Sequence, residues 1–151
     1  MKTVTRLSIL GLVVIVGVGI AYAGFSNPAD AIKYRKSTMQ VIGYHFKAMG
    51  AMVQGKVAYD KSAFERDAKI VAAVSDAAWE DALAEGSAAG DTTLKASALK
   101  DKARFLSLAK DFHASAVSLA AAAEKGDLGA AKGPFGETAK SCKACHGSYR
   151  K

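Results

Sequence analysis

Asn27-Pro28-Ala29-Asp30-Ala31-Ile32-Lys33-Tyr34-Arg35-Lys36-Ser37-Thr38-Met39 opens a run that continues unbroken to Gly55, and its periodicity decides the fold. Ile32, Met39, Phe46 and Val53 recur every seven residues, with Ile42 and Met49 at the interleaved positions. This is the seam of an amphipathic helix that packs against partner helices. Asn27-Pro28 reads as N-cap and first helical residue, Asp30 falls where the helix dipole favours a carboxylate, and Gly55 closes the helix. Arg35 breaks the seam. A permanently charged guanidinium among apolar positions needs an anionic partner or must snorkel to the bundle rim, because an unpaired buried charge is costly.

Three more helices follow. Ser62-Ala63-Phe64-Glu65 matches a capping box and predicts a second helix from near Ser62, with Phe64, Ala68, Val71, Val74 and Ala78 on one face and Trp79 near its end. Glu85 to Thr93 reads as a loop. A third helix is expected from about Leu94 to Lys125, stopped by Gly126-Asp127, with Leu108, Phe112, Ala116 and Leu119 at three- to four-residue spacing. The fourth carries Phe135, Ala139, Cys142, Cys145, His146 and Tyr149 along one face; it begins at Pro134 or is kinked there. Short connections between four helices predict an all-α, antiparallel up-down-up-down four-helix bundle.

The chain has 151 residues, with 21 Lys and Arg against 14 Asp and Glu. Lys2 and Arg6, the apolar stretch Leu7 to Ile20 and the small-x-small Ala21-Tyr22-Ala23 form a secretory signal, with cleavage expected after Ala23. Residues 24–151 are then the mature domain, and losing Lys2 and Arg6 lowers the formal charge of +7 by two. The apolar run is short for a span, so no membrane segment is expected after cleavage. The remaining basic residues are spread along the chain without a basic arm or groove-reading motif, which argues against nucleic acid.

Both cysteines lie in Cys142-Lys143-Ala144-Cys145-His146. This is the C-x-x-C-H attachment signature of c-type haem. Two thiols one helical turn apart can each add across one vinyl group of the porphyrin, and the adjacent imidazole becomes the proximal iron ligand. A dithiol redox site would want a βαβ context, and a zinc site would want four ligands, for which His45 and His113 are at the wrong spacing. Attachment of haem also requires export, which the leader supplies. The predicted bundle therefore encloses one covalently attached haem c. On the far side of the iron, Met39 is one turn beyond Arg35 on the seam and either ligates the metal or fills the core. His45 and His113 point off their stripes and are read as having no ligand role. Arg35 would find its anion in a haem propionate.

At this point the chain resembles cytochrome c′, within the class II c-type cytochromes. The resemblance rests on the Asn27–Arg35 stretch, on Gly43–Gly55 with His45-Phe46, and on Ser141–His146 followed by Tyr149-Arg150-Lys151. It implies thioethers at Cys142 and Cys145, His146 as proximal ligand, and Arg35 and Lys36 near a propionate. It also implies Asp91 near the haem edge, Arg150 beside the proximal face, and Met39 at the distal position. The implied protein is periplasmic and is a homodimer packed through its first helices. It exchanges electrons with redox partner proteins and binds NO or CO at a five-coordinate iron. A low-spin branch, with Met39 and His146 both ligating, would be a pure electron carrier. A haem peroxidase or reductase would want a distal acid–base residue, and the seam offers Met39 instead. No enzymatic activity is expected.

Overall fold

The structure, a computed structural model, describes residues 24–151; the expected leader lies outside the described residues. Four long helices form the bundle: α1 (Pro28–Val53), α2 (Lys61–Ser75), α4 (Lys102–Glu124) and α5 (Leu128–Tyr149). A single turn, α3 (Ser97–Lys100), and a 3-10 turn at Asp81–Leu83 lie in the connection between α2 and α4. No described helix is long and apolar enough to cross a membrane.

The ends of α1 follow the sequence. The Asn27 side chain accepts from the Ala29 amide at 2.9 Å. At the other end Lys56 N–H donates to Ala51 O at 2.9 Å and Gly55 N–H to Met52 O at 3.1 Å, with Gly55 at φ 68°. This six-to-one and five-to-two pairing requires a left-handed residue, and glycine adopts that conformation without penalty.

Three other boundaries differ from expectation. The N-cap of α2 is Asp60, whose carboxylate accepts from the Ala63 amide at 3.0 Å, not Ser62. The helix stops at Ser75, leaving Ala78 and Trp79 beyond it. The third long helix begins at Lys102 rather than Leu94, because the preceding residues are engaged elsewhere. Lys95 N–H donates to Tyr149 O and Lys151 N–H to Thr93 O, both at 2.8 Å, and the Asp101 carboxylate accepts from the Tyr149 hydroxyl, also at 2.8 Å. Tertiary pairing overrides local helix propensity there. The last helix begins at Leu128 on an Asp127 cap and runs through Pro134. Thr138 Oγ1 spans that turn, donating at 2.9 Å to Pro134 O and 3.1 Å from Ser115 O on α4.

Neighbouring helices pack as α1 on α2, α2 on α4 and α4 on α5. The core runs through Ile42 and Met49, Phe64, Ala68 and Val71, and Leu108, Phe112, Ala116 and Leu119. α1 and α5 meet more thinly, through the rings of Phe46 and Phe135, stacked with centroids 4.3 Å apart. The buried residues of α1 are Ala31, Arg35, Thr38, Ile42, Met49, Gly50 and Met52, so the seven-residue seam is turned slightly off the core. Met39 and Phe46 on that seam face a cavity between α1 and α5.

Candidate haem pocket

The cavity has a volume of about 560 Å³ and a mostly apolar wall. α1 contributes Met39, Gly43 and Phe46, α4 contributes Phe105, Leu108 and Phe112, and α5 contributes Cys142, Cys145, His146 and Arg150. Its size is in the range of sites for large organic ligands. The distance along α5 from Phe135 to His146 is about 16 Å at helical rise, so the motif is separated from the Phe46–Phe135 stack by three turns of helix.

The chemistry of this wall suits a covalently anchored metalloporphyrin. Cys142 and Cys145 are half-buried free thiols on one face of α5, and burial pushes both thiols up from their ordinary pKa, which keeps them protonated. Desolvation, and then the positive charge of Arg150 one turn on, hold the His146 imidazole below its usual range. The neutral ring keeps a lone pair available to a metal. α5 is held in place at this end by the Lys95 ammonium, which donates at 3.3 Å to the last-turn carbonyls of Gly147 and Ser148.

Arg35 is buried, as the seam placed it, and its donors meet oxygens of the 82–92 loop. The guanidinium donates to the carbonyls of Ala82 and Ser87, to Ser87 Oγ at 2.9 Å and to Thr92 Oγ1 at 3.4 Å. Neutral oxygens of the loop accept from it, and burial lowers its pKa from the usual value. Arg35 thus ties the 82–92 loop to α1 while its side chain also lines the cavity. Lys36 and Asp91, singled out separately in the sequence, form one ion pair. Asp91 reaches the site through Lys36 and does not itself line the wall.

Neither other histidine lines the cavity. His45 Nδ1 lies 3.0 Å from Oδ1 of the buried Asp67, and His113 Nδ1 lies 2.8 Å from Oγ of the buried Ser75. Sequence reasoning missed the wall formed by Trp79 and Thr92–Leu94. Trp79 is buried, with its indole N–H donating to Ser75 O at 2.9 Å. The lone tryptophan was visible in the sequence, but its place depends on where α2 stops.

A helical bundle holding C-x-x-C-H against an apolar cavity defines the class of bundled c-type haem proteins. The family model described as Cytochrome C′ matches residues 30–150, and the chain belongs to that family. Cytochrome c′ of Alcaligenes xylosoxydans xylosoxydans is 35% identical over 127 residues, covering 84% of this chain and 98% of that protein. The solved cytochrome c prime of Shewanella frigidimarina is 42% identical with a TM-score of 0.80, covering 84% of this chain and 98% of that one. A nitric oxide complex of a variant cytochrome c prime from Alcaligenes xylosoxidans is 34% identical with a TM-score of 0.75, covering 84% and 98%. Family membership makes this a haem-binding, electron-transport protein.

Proposed function

We propose that this chain is a periplasmic electron carrier, exported with cleavage after Ala23. It carries one haem c joined to Cys142 and Cys145, and its iron is five-coordinate and open to NO or CO. The observation that carries this reading is the placement of Met39 and His146 on one cavity wall system together with the two free thiols. The haem, when bound, supplies an iron that cycles between ferric and ferrous and accepts a diatomic ligand. His146 would hold that iron through its neutral imidazole, and Met39 would cover the group from α1. Arg35 fixes the loop that closes the wall, and the aromatic lining would keep bulk water out. The solved relative in complex with nitric oxide supports the gas-binding part of the reading.

We read Met39 as a gate rather than a ligand because the residues flanking it resemble those of the five-coordinate cytochromes c′. The low-spin alternative, with Met39 ligating, makes the protein a pure electron carrier. A second copy of the chain is proposed to cover the α1/α2 face, where Val41 and Tyr44 are exposed beside a groove lined by Tyr34, Ser37, Ala73, Val74 and Ala77. Acceptors and donors are redox partner proteins.

The test is an absorption spectrum of the purified ferrous protein with and without CO. A broad high-spin spectrum shifted by CO is expected. A sharp spectrum unmoved by CO makes Met39 a ligand, and absence of haem absorption from a host able to attach haem overturns the reading.

A further inference from the structure

Asn27, Asp60, Asp101 and Asp127 are the N-caps of the long helices. The side chains of Asn27, Asp60 and Asp127 each accept from an amide of the turn that follows them. Asp101, at the start of α4, makes no such bond. A capping carboxylate satisfies amides that a helix start otherwise leaves to water, so withholding it calls for a reason. Oδ2 of Asp101 instead accepts from the Tyr149 hydroxyl at 2.8 Å, on the last turn of α5.

Tyr149 follows His146 by three residues, so both lie on one face of that turn, and both line the cavity. The tyrosine is buried, and its ring packs against Phe105 of α4 with centroids 5.6 Å apart. The backbone is tied down as well. Tyr149 O accepts from Lys95 N–H at 2.8 Å, and Arg150 leaves the helix in an extended conformation to pair with Leu94. The N–H of the same Arg150 donates to His146 O at 3.0 Å. Other bonds of this turn run from the Lys95 ammonium to the Gly147 and Ser148 carbonyls and from the Ser148 hydroxyl to Ala144 O. All of these hold the backbone beneath the His146 ring rather than the ring itself.

We propose that Tyr149 and Asp101 are positioning residues for the proximal ligand: their hydrogen bond fixes the last turn of α5, and with it the direction in which His146 presents its imidazole. This rests on the reading that His146 holds a haem iron. A metal-ligating histidine is commonly oriented by a partner on its second ring nitrogen. Here that role falls to the turn that carries it, and α4 forgoes a capping bond to provide the acceptor.

The experiment is ferric electron paramagnetic resonance of the haem-loaded protein, unmodified and as Tyr149→Phe, Asp101→Ala and Asp101→Asn. That spectrum senses the orientation of the axial imidazole whatever occupies the opposite face of the iron. Tyr149→Phe keeps the ring and deletes only the hydroxyl; its signals should shift and broaden as the imidazole samples more directions. Asp101→Ala should match it, and Asp101→Asn, which keeps an acceptor oxygen, should return the parent spectrum. Amide exchange at Arg150, whose N–H reaches His146 O, should quicken in Tyr149→Phe and Asp101→Ala. Thermal melting is followed alongside. A lower melting temperature with an unaltered spectrum in those two variants would mean that the bond only stabilises the fold, and overturns the proposal; so does an Arg150 amide that exchanges no faster. An Asp101→Asn spectrum as disturbed as that of Asp101→Ala also overturns it, because charge and not the bond would then be responsible. Each of these leaves the haem reading intact. An unmodified chain that carries no haem, from a host able to attach it, overturns both.

Discussion

The guanidinium of Arg35 on α1 donates to Ser87 Oγ at 2.9 Å, fifty-two residues along the chain, and to the Ser87 carbonyl beside it. One buried side chain thereby holds the loop that carries Thr92 to the cavity wall. Arg35→Met removes this fork and leaves the Ala82 and Ser87 carbonyls without donors. Equilibrium urea unfolding should show a loss of about 3 kcal/mol, the cost of orphaning buried acceptors. Arg35→Lys should recover little, because an ammonium lacks the planar fork that reaches several acceptors at once. A lysine variant as stable as the parent would mean that charge, not geometry, matters.

Cys142 and Cys145 offer two separate anchors on one face of α5. Replacing either alone with alanine should leave a haem-stained band on a denaturing gel; replacing both should abolish it. Retained stain in the double variant would show attachment through another residue.

Tyr59 is the one described residue whose buried side-chain oxygen finds no hydrogen-bond partner. Burial first, then the carboxylates of Asp127, Glu65 and Asp60, raise its pKa above the ordinary 10.0. The folded state thus favours the neutral phenol. The corresponding stability is complete below the unfolded value and is lost as pH rises from about 10 through the folded value. Tyr59→Phe should gain about 1 kcal/mol at pH 7, since an unpaired buried hydroxyl carries a desolvation cost, and should flatten the alkaline loss. Urea midpoints at pH 7 and pH 10.5 measure both effects. A less stable variant at pH 7 would mean the hydroxyl has a partner after all.

Val41 is 41% exposed on the outer face of α1, beside the α2 groove. Val41→Asp should convert the proposed dimer to a monomer in sedimentation velocity, with the ferrous spectrum unchanged. A monomeric unmodified protein would remove the dimer from the reading.

Much of this site was legible before any coordinates. Cys142, Cys145 and His146 are three positions of one turn, so local spacing alone fixes their common face on a helix. The bundle class follows from the seven-residue repeat of α1, closed by Gly55, and from the three further helical patterns after it. Arg35 stood out for the same reason, as a charge in an apolar series. Helix starts were less legible. The Asp60 cap and the late start of α4 depend on which donors and acceptors the rest of the fold consumes.

The sequence by itself determined the helices, the haem motif and the anomaly at position 35, because each is a pattern within a few turns of chain. Only the tertiary structure decided that Arg35 spends its donors on neutral loop oxygens, that Lys36 pairs with Asp91, and that His45 and His113 turn away to Asp67 and Ser75. Such choices join residues tens of positions apart, and the packing of whole helices selects among partners that local spacing cannot rank.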